Sequence, residues 1–196
     1  MADTKLTALA SLAALTDADI LYAVDDPSGT PVERKVTAQV LKAFIGLPDI
    51  LHVRQEETSG TNAATGSAAT WNVRVLNTVK TNLITGASLA TNQITLPAGT
   101  YRIRASAGAV DIDRHQLRFR NVTDGTTAVN GTSELSNDGD YSMTNSLLYG
   151  RFTIAAEKDF ELQHYTELTS SASLGNATSS GQVEVYAEVY IEQEPA

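Results

Sequence analysis

Beyond Phe44 the apolar residues of this chain recur at every second position, in short runs separated by turn residues, and no helical spacing of any length appears. A period of two belongs to strands that bury one face and leave the other wet. The run Gln182–Ile191 is the cleanest case: Val183, Val185, Ala187, Val189 and Ile191 fall on one side, Glu184, Tyr186, Glu188 and Tyr190 on the other. Gln93–Val110 follows the same rule around a turn. Ile94 and Leu96 alternate with polar neighbours, Pro97 to Gly99 supply type I turn chemistry, and Tyr101, Ile103, Ala105 and Ala107 then oppose Arg102, Arg104 and Ser106.

The remaining strands are read in the same way. Leu51 and Val53 alternate with His52 and Arg54; Trp71, Val73 and Val75 are expected inward; Leu117 and Phe119, and later Phe160, Leu162 and His164, each oppose polar residues. Leu147–Ile154 is apolar enough for a central strand. Three stretches read as loops. Glu56–Thr70 and Thr169–Gly181 are built from Ser, Gly, Ala, Thr and Asn and are expected to be mobile surface. Asn121–Asp140 holds Asp124-Gly125, Asn130-Gly131 and Asp138-Gly139 pairs and is expected to be rich in turns. Some eight to ten short strands make an all-β antiparallel sandwich or barrel over residues 51–196.

Residues 1–46 read as a separate small module joined by a linker at 47–50. Lys5–Leu15 fits a helix as well as an extended arm. Ile20–Val24 and Val32–Val36 pair around an Asp-Pro-Ser-Gly loop, and Thr37 opens a short helix through Phe44 that Gly46 and Pro48 end. A two-stranded hairpin with one helix is marginal alone, so it leans on something, either its own domain or an external dock.

Composition narrows the function. With 23 acidic against 14 basic residues, a net charge of −9, the chain is ill suited to a nucleic-acid backbone. No cysteine is present, which excludes disulfides and thiolate metal sites. No apolar run approaches the ~20 residues that span a bilayer, and the first residues lack the basic and apolar order of a secretory signal, so membrane insertion is not expected. No nucleophile elbow, phosphate loop, HExxH or dinucleotide fingerprint occurs, and no pair of carboxylates stands out for glycoside hydrolysis; neither enzyme activity nor a cofactor is expected. The three histidines are isolated in sequence, and His164 reads as a hydrogen-bonded core residue. Asp111 and Asp113, with Asp138 and Asp140, are weak candidates for calcium at spacings unlike an EF-hand.

Two resemblances sharpen this reading. Leu96-Pro97-Ala98-Gly99-Thr100-Tyr101, with Asn77-Thr78-Val79-Lys80-Thr81-Asn82 before it, resembles the trimeric tumour necrosis factor and complement-globular-head jelly rolls, which also occur on bacteriophage fibres; Ile94 stands where Phe is common. Leu15–Leu21, Val24-Asp25 and Arg34–Ala38 resemble an N-terminal module that attaches phage fibres and appendages to the particle. The first resemblance implies a homotrimer in which the outer faces of the last strand and of the strand after Pro97 meet. Its interface would use Tyr186, Tyr190, Glu184, Glu188, Arg102, Arg104 and Tyr165, since tyrosine and Arg–carboxylate pairs suit such contacts. The second implies docking on other virion proteins through Leu6, Leu9, Leu12, Ile20, Tyr22, Val24, Leu41 and Phe44. Together they imply a virion subunit made in a host cytoplasm, its three long loops displayed toward a host-surface glycan or protein. A free-standing lectin-like module is the alternative.

Overall fold

The computed structural model describes residues 20–25, 32–37, 45–137, 139 and 141–195. The chain divides after Leu47 into two units. In the first, β1 (Ile20–Asp25) and β2 (Val32–Thr37) form an antiparallel hairpin with Ile20 opposite Thr37 and Asp25 opposite Val32. The expected helix at 38–44 and the arm at 1–15 lie outside the described residues, as do Leu6, Leu9, Leu12, Leu41 and Phe44. Gly46 holds a left-handed φ of +70°.

The second unit is all β. Its strands are β3 (Asp49–Glu57), β4 (Thr70–Val73), β5 (Thr78–Asn82), β6 (Ser88–Ala90), β7 (Gln93–Leu96), β8 (Gly99–Val110), β9 (Asp113–Asn121), β10 (Thr126–Ser136), β11 (Met143–Ile154), β12 (Lys158–Thr166) and β13 (Glu184–Gln193). One sheet runs β11-β8-β13-β3-β5. The other runs β10-β9-β12-β7-β6, with β4 also on β12, and every pairing is antiparallel. Successive strands alternate between sheets from β7 to β9 and again from β10 to β13, which makes the unit a jelly-roll sandwich. The turn at Pro97–Gly99 therefore carries the chain from one sheet to the other rather than closing a hairpin. Tyr101, buried just after that corner, donates its hydroxyl to the Pro97 carbonyl at 2.7 Å.

The two inner faces meet in one core. Leu51 and Val53, Ile94 and Leu96, Tyr101 and Ile103, Leu117 and Phe119, Leu148, Phe160 and Leu162, Val189 and Ile191 are all buried there. Phe119 lies parallel to Phe160 with ring centres 4.8 Å apart, and Phe152 closes over both. Fully burying one such side chain is worth ~1.5–3 kcal/mol.

Several expectations fail, each for a local reason. Trp71, Val73 and Val75 do not point inward: Arg74 and Leu76 do, and Arg74 is fully buried. The guanidinium is tolerated because the core offers it the carbonyls of Gly108 and Tyr186 and the amide oxygen of Gln55 at 2.9–3.3 Å. Asn121–Asp140 is mostly strand: among its described residues the chain turns before Thr126 and at Gly139, and Asn130-Gly131 sits at an irregularity inside β10. Leu147–Ile154 belongs to an edge strand, not a central one.

Glu56–Thr70 and Thr169–Gly181 are laced together. Ala63 and Leu174 donate backbone N–H bonds to Gly175 and Ala64, Gly66 N–H reaches the Ser173 hydroxyl, and Ala177 N–H reaches Asn62. Asp111 and Asp113 take left-handed φ values of 55° and 56° at the β8–β9 corner, and the Asp111 carboxylate accepts the Tyr141 amide. Asp138 and Asp140 lie outside the described residues, and among the described residues no three acidic or imidazole side chains gather as a metal site would require.

Candidate functional site

The predicted constellation on the last strand is split by a β-bulge. Val185 pairs with Glu56 and Ala187 with Gln55, so Tyr186 is an extra residue with no cross-strand partner. One inserted residue reverses the phase of everything before it. Ala187, Val189 and Ile191 point inward as expected, but Val183 and Val185 point out and Glu184 and Tyr186 turn in.

Tyr186 is 7% exposed, packed on Ala63 and Leu174 beneath the laced loops, with its hydroxyl donating to the Thr61 carbonyl at 2.8 Å. Gly175 lies so close over the ring that an added Cβ would stand 2.1 Å from it, and its φ of +148° also favours glycine. Glu184 accepts the amides of Thr178, Gly60 and Ser179 and the Thr178 hydroxyl at 2.8–3.1 Å. Those hydrogen bonds, Thr178 and Gly60 foremost, hold its pKa down to about 2. Both residues leave the predicted interface and become the anchor of the loop tip. Tyr165 leaves it too, because it stands on the outer face of the opposite sheet, 5.7 Å from Trp71.

The outer face of the β11-β8-β13-β3-β5 sheet keeps Tyr190, Glu188, Arg102 and Arg104. Register places Tyr190 opposite Arg104 and Glu192 opposite Arg102. Glu188 binds Arg54 at 2.8 and 3.0 Å and also His52, whose ring meets Tyr190 edge-on. Glu194 takes Arg151 and Arg102 together, at 2.8–2.9 Å, and these two cations, Arg151 first, lower its pKa to about 2. Arg104 reaches Glu192 at 3.8 Å. The charges of this face are thus paired within the chain.

Its apolar residues are not covered. Strand β11 lays Met143, Leu147 and Tyr149 outward beside Ser106 and Arg104, with Tyr149 63% and Leu147 37% exposed. Leu147 and Tyr149 border a shallow depression shared with Arg104, Ser106, Glu188 and Tyr190. Sequence reasoning missed Leu147 and Tyr149. The signal was there: Leu147-Leu148-Tyr149 puts apolar residues on both faces, the mark of a strand covered on both sides. The structure makes β11 an edge strand, and among the described residues only its inner face is covered.

A second constellation was invisible in sequence. His115 and His164, 49 residues apart, meet in the core with Nδ1 of the first 2.9 Å from Nε2 of the second. His164 is fully buried, as expected of a core histidine. The other nitrogen of His115 lies 2.7 Å from the Thr144 hydroxyl. Burial first, then Arg74, drives His164 well below the ordinary histidine value; burial brings His115 down to about 4, against a small opposing pull from Glu134.

No family model and no curated protein sequence matches this chain. Among solved structures, murine APRIL at pH 8.0 is similar, with a TM-score of 0.48 and 7% identity over 74% of this chain and 98% of that one. The globular domain of zebrafish complement 1qA gives a TM-score of 0.42 and 11% identity over 75% and 96% of the two chains. The jelly-roll assignment stands on the strand order itself.

Proposed function

We propose that this chain is the subunit of a homotrimeric bacteriophage fibre, spike or decoration, docked on the particle by residues 1–46 and displaying the jelly roll outward. One observation carries the assembly: β11 is apolar on both faces, and among the described residues nothing covers its outer face. Burying Tyr149, Leu147 and the Tyr190 edge against another copy removes that exposure. The ion pairs around them are already made within the chain, so a partner meets few unpaired charges there. An obligate interface of this kind buries on the order of 2,000–5,000 Å². Ile20, Tyr22 and Val24 of β1 belong to the docking module, whose likeness to phage attachment modules supports the virion reading.

The displayed surface is the laced tip. Residues 58–71 and 168–183 contain no charged side chain, in a chain that is 19% charged. An uncharged Ser, Thr and Asn surface held rigid from below suits a neutral partner such as a host glycan. The same feature favours the second reading, a free-standing glycan-binding module. Negative-stain imaging of purified particles with antibody against the jelly roll separates the two. Labelled particles support the virion subunit; particles devoid of the protein, with glycan-array binding by the free chain, support the module.

A further inference from the structure

The buried imidazole pair has no part in the assembly face, yet it holds the strand that carries that face. Thr144 of β11 donates its hydroxyl proton to the Leu135 carbonyl at 3.1 Å, so it accepts from Nε2–H of His115. His115 then has a bare Nδ1, and His164 must donate its Nε2–H there. Both rings are neutral; the His164-to-His115 bond needs His115 Nδ1 bare, whereas His115 Nε2–H can donate to Thr144 in either state. His164 Nδ1 is left buried with no partner, as is Nε of Arg74.

This chain of bonds is a seam between sheets. His115 lies on β9, His164 on β12 and Thr144 on β11 of the other sheet. Two residues on, Ser146 continues the seam by accepting Leu117 N–H at 2.9 Å and donating to the Thr132 carbonyl at 2.7 Å. Leu147 and Tyr149 follow directly on the outer face.

We propose that the His115–His164 pair is an acid-sensitive latch: protonation of His115 breaks the bond between the two rings and leaves charge in the core, and lifting β11, with Leu147 and Tyr149, off β9 lets water reach it. The use of that release, disassembly in acid, rests on the assembly reading; the latch itself does not.

The electrostatics point one way. A proton on His115 Nδ1 meets the Nε2–H of His164, donor against donor. A proton on His164 Nδ1 places an imidazolium in the core beside His115 and the buried Arg74. The charges acting on the pair are Arg74, which disfavours protonation of both rings, and Glu134 of β10, which favours it at His115. β11 brings only the Thr144 hydroxyl to the pair. The opened chain takes up its protons near the ordinary histidine value of 6.5, the closed one only near 4 at His115 and well below 6.5 at His164. Stability of the closed seam is therefore complete above about 6.5 and is lost as pH falls toward 4.

The test uses the full chain, reading histidine ring chemical shifts and hydrogen-exchange protection, corrected for intrinsic rate, between pH 7.5 and 4. We expect protection at Asn145 and Leu147 to fall about a hundredfold across that range while the β13–β3 amides hold. His164→Gln keeps a donor toward His115 and removes one proton site, and it should flatten the fall. Constant protection at β11 in the wild type overturns the latch, and so does an undiminished fall in a folded His164→Gln. Should the variant not fold, the wild-type spectra decide: His115 and His164 must titrate together with β11 opening, and titration without opening overturns the proposal. Light scattering on the same samples reports assembly separately, so a monomer at pH 7.5 refutes the trimer and leaves the latch to the exchange data.

Discussion

The two outer faces of the sandwich treat their aromatics differently. On the β10-β9-β12-β7-β6 side, Trp71 lies under the Arg118 guanidinium at 4.0 Å and against Tyr165, and Arg118 is in turn fixed by Gln163 at 2.6–2.8 Å. Gln163 and Gln93 both donate to Glu161, which completes a closed polar layer. On the other side the polar layer is equally well paired, but on β11 it takes in Arg151 and leaves Tyr149 and Leu147 clear. An aromatic on a surface is unremarkable when the chain covers it. It points to a partner when the chain pairs every charge around it and leaves the ring alone.

That contrast is broken most severely by charging the bare face. Tyr149→Glu places three like charges in a threefold assembly, and its dissociation constant should rise at least about a hundredfold. Size-exclusion chromatography with light scattering should then give a folded monomer; an unchanged assembly would move the interface elsewhere. Next in size is a change behind both faces. Phe119→Ala removes a buried ring stacked on Phe160 and should cost ~3–5 kcal/mol, read as a lower denaturant midpoint. Because β8 and β11 stay paired, its assembled mass should be unaltered wherever it remains folded.

The covered face gives the smaller response. Arg118→Ala uncovers Trp71 and should cost about 0.5–1 kcal/mol, visible as a red-shifted emission of the single tryptophan, with no change in mass. A change in mass there would show that the two faces had been assigned the wrong way round. Last comes the loop anchor, whose effect is read from its pH dependence. The Glu184 carboxylate, at about 2 in the folded chain against 4.5 unfolded, contributes stability that is present above 4.5 and lost as pH falls from there toward 2. Glu184→Gln should flatten that limb of an acid-unfolding curve and leave the 4–6.5 window, which belongs to the histidines, in place.

Much of the fold was legible because its core strands obey a strict period of two: Leu51 and Val53, Tyr101 to Ala107, Leu117 and Phe119, and Phe160 to His164 all point where alternation puts them. The site was legible only in part. Arg102, Arg104, Glu188 and Tyr190 share an outer face, but Gln182–Ile191 alternates without interruption, and nothing in such a run announces a bulge at Tyr186. The residue that demands the bulge is Gly175, eleven positions away, together with the amides that capture Glu184. Arg74 was misplaced because a lone arginine between valines reads as solvent-facing; only the folded chain shows the three oxygens that await it. Tyr149 was missed because its two-faced apolar pattern was read as a central strand; edge and centre are properties of sheet order, which no local pattern encodes.

Everything proposed for assembly comes down to what covers Leu147 and Tyr149. Sedimentation velocity of the full chain at micromolar concentration and pH 7.5 addresses that directly. A single species of three times the 20.9 kDa chain mass is predicted, falling to one chain with Tyr149→Glu. A wild-type monomer across the concentration range contradicts the account.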